Sequence, residues 1–162
     1  MKLVYLALGS NIGNGRQYLL AGLKMLGRIA LGEIQCSSFW KTEPVEMSEA
    51  RWFTNAVVRF YTDLSPFDLL EAIQSIEHKS GRPSVHAQNS PRTLDLDIIT
   101  YENCVLDTES LKIPHPRAWQ RLFVLLPLQE LAPEFRFPGL RTNILELIEK
   151  APKIKMERLD HF

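Results

Sequence analysis

The spacing of apolar residues along this chain changes in the succession strand, helix, strand, strand, helix, strand, and that succession leaves few folds open. Residues 3–8 are an apolar run with Val4 and Tyr5 early, cut at once by Gly9-Ser10-Asn11, which predicts a buried first strand ending in a polar turn. Leu19, Leu20, Leu23, Leu26 and Ile29 or Ala30 then recur at helical steps. Residues 34–41 alternate loosely and run into Thr42-Glu43-Pro44, predicting a second strand that feeds a loop. Residues 53–61, rich in valine and aromatics, predict a third strand. Ser65-Pro66 has the form of an N-cap followed by proline at the first helical position, and Phe67, Leu69, Leu70, Ile73 and Ile76 carry that helix towards a stop at Gly81. A fourth strand is expected over 94–101, a small hairpin from Val105-Leu106 and residues 111–113, an apolar helix over 123–131 and a last helix over 144–150. The order matches the split βαβ pattern of ferredoxin-like sheets. The expected class is therefore α+β, a βαββαβ core sheet with flanking helices in three α/β/α layers.

That architecture hosts many functions, so chemistry must be read from side chains. At 162 residues and 45% hydrophobic content, one domain over residues 1–162 is expected; a monomer is the expected state, which neither length nor composition decides. Nineteen basic residues balance nineteen acidic ones, so no global charge draws the chain to nucleic acid or to a membrane surface, and any anion site must be local. Cys36 and Cys104 stand far apart without metal-ligand spacing, which fits a reducing, cytoplasmic setting. The run at 3–8 is too short for the core of a signal peptide, and no stretch approaches a membrane span.

The most informative segment is Arg92-Thr93-Leu94-Asp95-Leu96-Asp97-Ile98. On a strand, residues two apart share a face, so Asp95 and Asp97 point one way while Leu94, Leu96 and Ile98 point into the core. Two adjacent carboxylates favour a cation between them, and such hard oxygen donors suit Mg²⁺ that also bridges phosphates. The plainer reading is a solvated strand face carrying two unrelated acids. Arg82, Arg92, His115, Arg117 and Arg121 flank the acidic strand, and each arginine can grip phosphate oxygens with two parallel hydrogen bonds. Taken singly, each is as readily a surface charge, and His115 between Pro114 and Pro116 is as readily a hydrogen-bonded turn residue.

Other devices are missing. The glycine-rich stretch from Gly9 to Gly15 follows a strand but lacks Lys-Ser or Lys-Thr at P-loop spacing. No serine or cysteine nucleophile motif and no histidine/glutamate zinc pattern occurs. A ferredoxin-like RNA-binding module would need paired sheet aromatics and a basic surface, which this neutral chain does not supply.

The sequence resembles the 6-hydroxymethyl-7,8-dihydropterin pyrophosphokinases (HPPK) of folate biosynthesis, nearly from end to end. The resemblance rests on Ala7-Leu8-Gly9-Ser10-Asn11, the run from Ser37 to Val45, Phe53-Thr54-Asn55-Ala56-Val57, Ile76-Glu77 and Gly81-Arg82. It continues through Pro91-Arg92-Thr93-Leu94-Asp95-Leu96-Asp97-Ile98, Ile113-Pro114-His115-Pro116-Arg117 and Arg121-Leu122-Phe123-Val124-Leu125. The activity it implies is transfer of diphosphate from ATP to the hydroxymethyl group of a reduced pterin, with ATP as substrate and two Mg²⁺ ions as cofactor.

The same resemblance implies roles for individual residues. Asp95 and Asp97 would hold the metal, while Arg82 and Arg92 would bind and stabilise the phosphates as catalytic residues. Glu77, His115 and Arg121 would belong to the ATP site, with Leu70 and Ile98 near the adenine and Leu111 and Lys112 along the nucleotide. The pterin would sit between Phe53 and Phe123, read by Asn55 and by the backbone around Thr42 and Val45. One departure stands out: where many members carry two further arginines and an aromatic in the loop before Pro91-Arg92, this chain has Ser84, Gln88 and Asn89 followed by Ser90. The loop is therefore expected to be exposed and mobile and to hold ATP less firmly. A non-catalytic pterin- or nucleotide-binding relative would suit that thinned loop, whereas the retained Asp95, Asp97, Arg82 and Arg92 argue for an enzyme.

Overall fold

The computed structural model describes residues 1–44, 51–81 and 93–159. Its main sheet is built from β1 (Lys2–Ser10), β2 (Leu31–Cys36), β3 (Trp40–Thr42), β4 (Phe53–Thr62), β5 (Asp95–Tyr101) and β8 (Met156–Arg158). The strand order is β5-β1-β4-β3-β8, with β2 also paired to β4, and every pairing is antiparallel. This is the expected α+β, ferredoxin-like order, with the fourth core strand outside the first. A separate hairpin joins β6 (Leu106–Asp107) to β7 (Lys112–Ile113).

Alternation along the strands feeds two cores, one on each face of the sheet. Val4, Leu6 and Leu8 of β1 pack with Leu19 and Leu26 of α1 (Gly15–Leu26) and with Leu69, Ile73 and Ile76 of α2 (Pro66–Lys79). On the opposite face Tyr5 and Val57 pack with Val124, Leu125 and Leu128 of α3 (Leu122–Leu131) and with Ile144 and Leu147 of α4 (Ile144–Lys150). Three α/β/α layers result. Caps are those that local chemistry dictates: the Ser65 side chain accepts from the Asp68 N–H and Asn143 from the Glu146 N–H, while Gly81 takes the positive φ of 97° that follows α2.

Two sequence expectations need correction, and one strand has no counterpart in the sequence reading. The single second strand over 34–41 is two, β2 and β3, because the ladder breaks at Ser37, whose N–H still donates to the Val57 carbonyl at 2.9 Å but whose carbonyl takes no part in the return bond. The Ser37 hydroxyl, not a backbone carbonyl, accepts from the Val57 N–H at 2.9 Å, and the chain resumes pairing only at Trp40. Helix α1 ends at Leu26, since Gly27 caps it through Leu23; Ile29 and Ala30 pack on the core from the turn beyond. Strand β8 carries no apolar alternation in Met156-Glu157-Arg158 and is recognised only by its pairing with β3. No helix among the described residues is long and apolar enough to cross a membrane. Cys36 and Cys104 are both free thiols.

Candidate active site

Register places Asp95, the first of the proposed carboxylates, and the proposed pterin reader in one row. Asp95 pairs with Gly9, Gly9 with Asn55, and Asn55 with Trp40, across β5, β1, β4 and β3. Directly paired residues point to the same face, and this face is the one covered by α3, because Tyr5 and Val57, at even spacing along the same strands, belong to that core. Asp97 lies in the next row, opposite Ala7. Asp95 and Asp97 are both half-buried while Leu94, Leu96 and Ile98 are buried, as alternation requires. Two strand spacings, about 10 Å, separate the carboxylate strand from the strand bearing Asn55.

Glycine between them keeps that interval open. A Cβ on Gly9 would lie 2.8 Å from Asn55 Oδ1, so no other residue fits without moving the amide. Asn55 is itself held: its Nδ2 donates to Thr42 Oγ1 at 2.7 Å, which turns Oδ1 towards Gly9. Both Asn55 and Thr42 are buried. Phe53 pairs with Thr42, one step beyond Asn55 towards the loop end of the strands.

The other residues singled out from sequence arrive from loops and helix ends. Helix α3 starts beside the site, with the Arg121 guanidinium 5.5 Å from the centroid of the Phe123 ring, so a cation of the expected ATP group and an aromatic of the expected pterin group are in contact. Glu77, buried on α2, accepts from the Leu96 N–H at 2.8 Å and thus holds the backbone between the two aspartates. The His115 N–H donates to the Ile99 carbonyl at 2.9 Å, tying the Pro-His-Pro turn to the outer edge of β5. His115 Nδ1 accepts from the Arg117 N–H at 3.1 Å, so its ring proton is on Nε2. Burial, followed by the Arg121 guanidinium, pushes its pKa down to about 4, with Asp95 pulling the other way. At neutral pH it is an uncharged donor.

A cavity of about 220 Å³ runs along the edge of β5, between α2 and the β6–β7 hairpin. Leu70, Ile98, Leu111, Lys112 and His115, five residues expected at the nucleotide, all line it. Asp97 lines it too, so the cavity reaches one of the two strand acids. Ile73, Leu96, Glu109, Ser110 and Pro116 complete the lining; Ile73 follows from helical spacing after Leu70, Leu96 and Pro116 lie inside the motifs already singled out, and Glu109 and Ser110 could be found only from the hairpin's position. Val45, Arg82 and Arg92, and the loop departures at Ser84, Gln88, Asn89 and Ser90, lie outside the described residues.

The donor set fits magnesium. Among the described residues no group of three or more histidine, cysteine, aspartate or glutamate side chains could cage a metal alone. Mg²⁺ commonly takes one or two protein carboxylates and completes its shell with water and substrate phosphates. Asp95 and Asp97, same-faced and half-buried, with Asp97 lining the cavity, supply that number.

The sequence model of the family described as 7,8-dihydro-6-hydroxymethylpterin-pyrophosphokinase (HPPK) matches residues 5–133. A 2-amino-4-hydroxy-6-hydroxymethyldihydropteridine pyrophosphokinase of Pseudomonas aeruginosa is 38% identical over 157 residues, 96% of each chain. Its namesake in Bacillus subtilis is 42% identical over 130 residues, 80% of this chain and 77% of that one. The folic acid synthesis protein FOL1 of Dictyostelium discoideum is 42% identical over 90% of this chain, but the match spans only 22% of FOL1's own length. Among solved structures, a Plasmodium falciparum HPPK-DHPS superposes with a TM-score of 0.72 over 92% of this chain and 44% of that one, at 16% identity, and so bears on the fold alone. Sequence motifs, sheet order and the matched family coincide over the same residues, and the chain belongs to the 7,8-dihydro-6-hydroxymethylpterin-pyrophosphokinase family.

Proposed function

We propose that this chain transfers the terminal diphosphate of ATP to 6-hydroxymethyl-7,8-dihydropterin, giving AMP and the pterin diphosphate, the reaction for which its family and its bacterial relatives are named. The observation that carries the reading is the single row Asp95, Gly9, Asn55. With Asp97 one row on, two carboxylates and the buried Asn55 amide share one face, two strands apart, and this supports reading the acids as metal ligands and the amide as a reader of the heterocycle.

If AMP leaves, the bond broken joins the β-phosphorus to the oxygen it shares with the α-phosphorus. The pterin hydroxymethyl oxygen bonds that β-phosphorus, and the hydroxyl proton passes to solvent. Asp95 and Asp97 would hold Mg²⁺, two ions in this reading, whose charge offsets that of the triphosphate. Leu70, Ile98, Leu111 and Lys112 hold the nucleotide in the cavity along β5, with His115 offering its Nε2–H and Arg121 its guanidinium to phosphate oxygens. Glu77 keeps the β5 end of that site in place. Arg82 and Arg92 meet the charge on the transferred group, since phosphoryl transfer depends on positioned cations more than on covalent chemistry. Phe53 and Phe123 sandwich the pterin, while Asn55 and the backbone near Thr42 and Val45 read its polar edge. Within residues 1–162 we read one domain, acting as a monomer in the cytoplasm without nucleic-acid or membrane partners.

Incubation with ATP, Mg²⁺ and 6-hydroxymethyl-7,8-dihydropterin tests the reading through the nucleotide released. AMP is expected. Stoichiometric ADP with a monophosphorylated pterin would overturn it.

A further inference from the structure

At the break between β2 and β3, Ser38 is buried, and its backbone N–H has left the strand ladder. The donor finds its partner far along the chain: Glu130 Oε2, on the last turn of α3, accepts from the Ser38 N–H at 3.0 Å. The other oxygen of the same carboxylate, Oε1, accepts from Trp40 Nε1–H at 2.7 Å. Both bonds are charge-assisted, and together they fix one helix end to one short strand.

What they fix is the geometry of the heterocycle slot. Phe123 and Glu130 are seven positions apart on α3, two turns and about 10.5 Å along one helix face, so the helix that presents Phe123 is clamped to the sheet at its far end by Glu130. Trp40 pairs directly with Asn55, and Thr42 of the same strand accepts the Asn55 amide at 2.7 Å. The clamp therefore sets two walls at once: the helix carrying the stacking ring, and the strand that orients the reading amide. Glu130 lies outside the row of carboxylates and outside the cavity along β5, and it belongs to none of the roles assigned above.

We infer that Glu130 is a positioning residue for the pterin slot, acting through Ser38 and Trp40 without touching substrate. The inference rests on the proposed pterin site. Removing the carboxylate leaves a buried backbone N–H without its acceptor and frees the indole, and both shifts are felt at Asn55 and Phe123 but not along the β5 cavity.

The test measures pterin and ATP-analogue dissociation constants separately for the full chain and for Glu130→Ala and Glu130→Gln, together with the Trp40 indole N–H resonance. Glu130→Ala is expected to move that resonance and to weaken pterin binding about tenfold, equivalent to about 1.4 kcal/mol, with ATP-analogue affinity unchanged. Glu130→Gln keeps one acceptor oxygen but turns an NH2 towards the other donor, so it should recover only part of the loss, and its remaining selective weakening of pterin binding carries the test if the alanine variant does not fold. A shifted indole resonance with unaltered pterin affinity overturns the inference while leaving the proposed function standing. Equal weakening of both ligands also overturns it, since that is general destabilisation. If the unmodified chain binds no pterin, the proposed function fails and this inference with it.

Discussion

Gly9 and Asn55 face each other across β1 and β4 so closely that a single added methyl group on Gly9 would stand 2.8 Å from the amide oxygen. The amide cannot retreat without giving up its 2.7 Å bond to Thr42. Gly9→Ala should therefore cost about 1–3 kcal/mol of stability, the usual penalty for overfilling a packed site. It should also weaken pterin binding by turning Asn55 away. Denaturant unfolding and a pterin titration check both halves, and a variant of normal stability and affinity would show that the amide yields without cost.

Loss of either acid on β5 should remove turnover and spare the pterin slot. Asp95 and Asp97 would seat Mg²⁺, whose charge stabilisation amounts to several kcal/mol, whereas Asn55 and Phe53 stand on another strand. Steady-state assay of Asp97→Ala decides the matter. A kcat above about one tenth of the unmodified value, a barrier change below about 1.4 kcal/mol, would rule out metal ligation.

Phe123→Ala should weaken pterin binding by about 1–3 kcal/mol, the range for burial and stacking of one aromatic ring. ATP-analogue affinity should change little. Because Arg121 rests over that ring, a small nucleotide effect is expected in the same variant through loss of the cation–π contact. Calorimetric titration with each ligand separates the two, and an unchanged pterin constant would make Phe123 an ordinary core residue.

His115 gives the chain a defined acid response. Its folded-state pKa of about 4 lies below the ordinary 6.5, so the unfolded chain takes up a proton in a range where the folded chain does not. The stability that depends on neutral His115 is complete above pH 6.5, declines as pH falls between 6.5 and 4, and is lost once pH passes below the folded value. Nuclear magnetic resonance of the imidazole should show a midpoint near 4, and His115→Gln should flatten the loss of stability across that window. A midpoint near 6.5 would mean that the ring is solvated and not enclosed beside Arg121.

Much of the site is legible in the sequence because a few residue types have strict backbone demands. Ser65-Pro66 and Gly81 bracket α2 as their capping chemistry requires, and Asp95 and Asp97 share a face because a strand permits nothing else. Leu70, Ile98, Leu111, Lys112 and His115, expected at the nucleotide from family resemblance, do line one cavity. The division of residues 34–41 is not legible, since Ser37 replaces a ladder carbonyl with its own hydroxyl and no local pattern announces that.

Local sequence dictates the kinds of elements, their order and the face on which each strand carries its polar residues, because periodicities of two and of 3.6 are properties of the local chain. Which polar residues become neighbours is settled by packing over the whole fold. Register between β5, β1 and β4 places Gly9 between Asp95 and Asn55, and register depends on how whole strands bury their apolar faces, not on any short motif. Ser38 likewise finds its acceptor in Glu130, 92 positions away. A buried donor must be satisfied wherever the packed chain brings an acceptor within reach, and that distance is unreadable along the sequence.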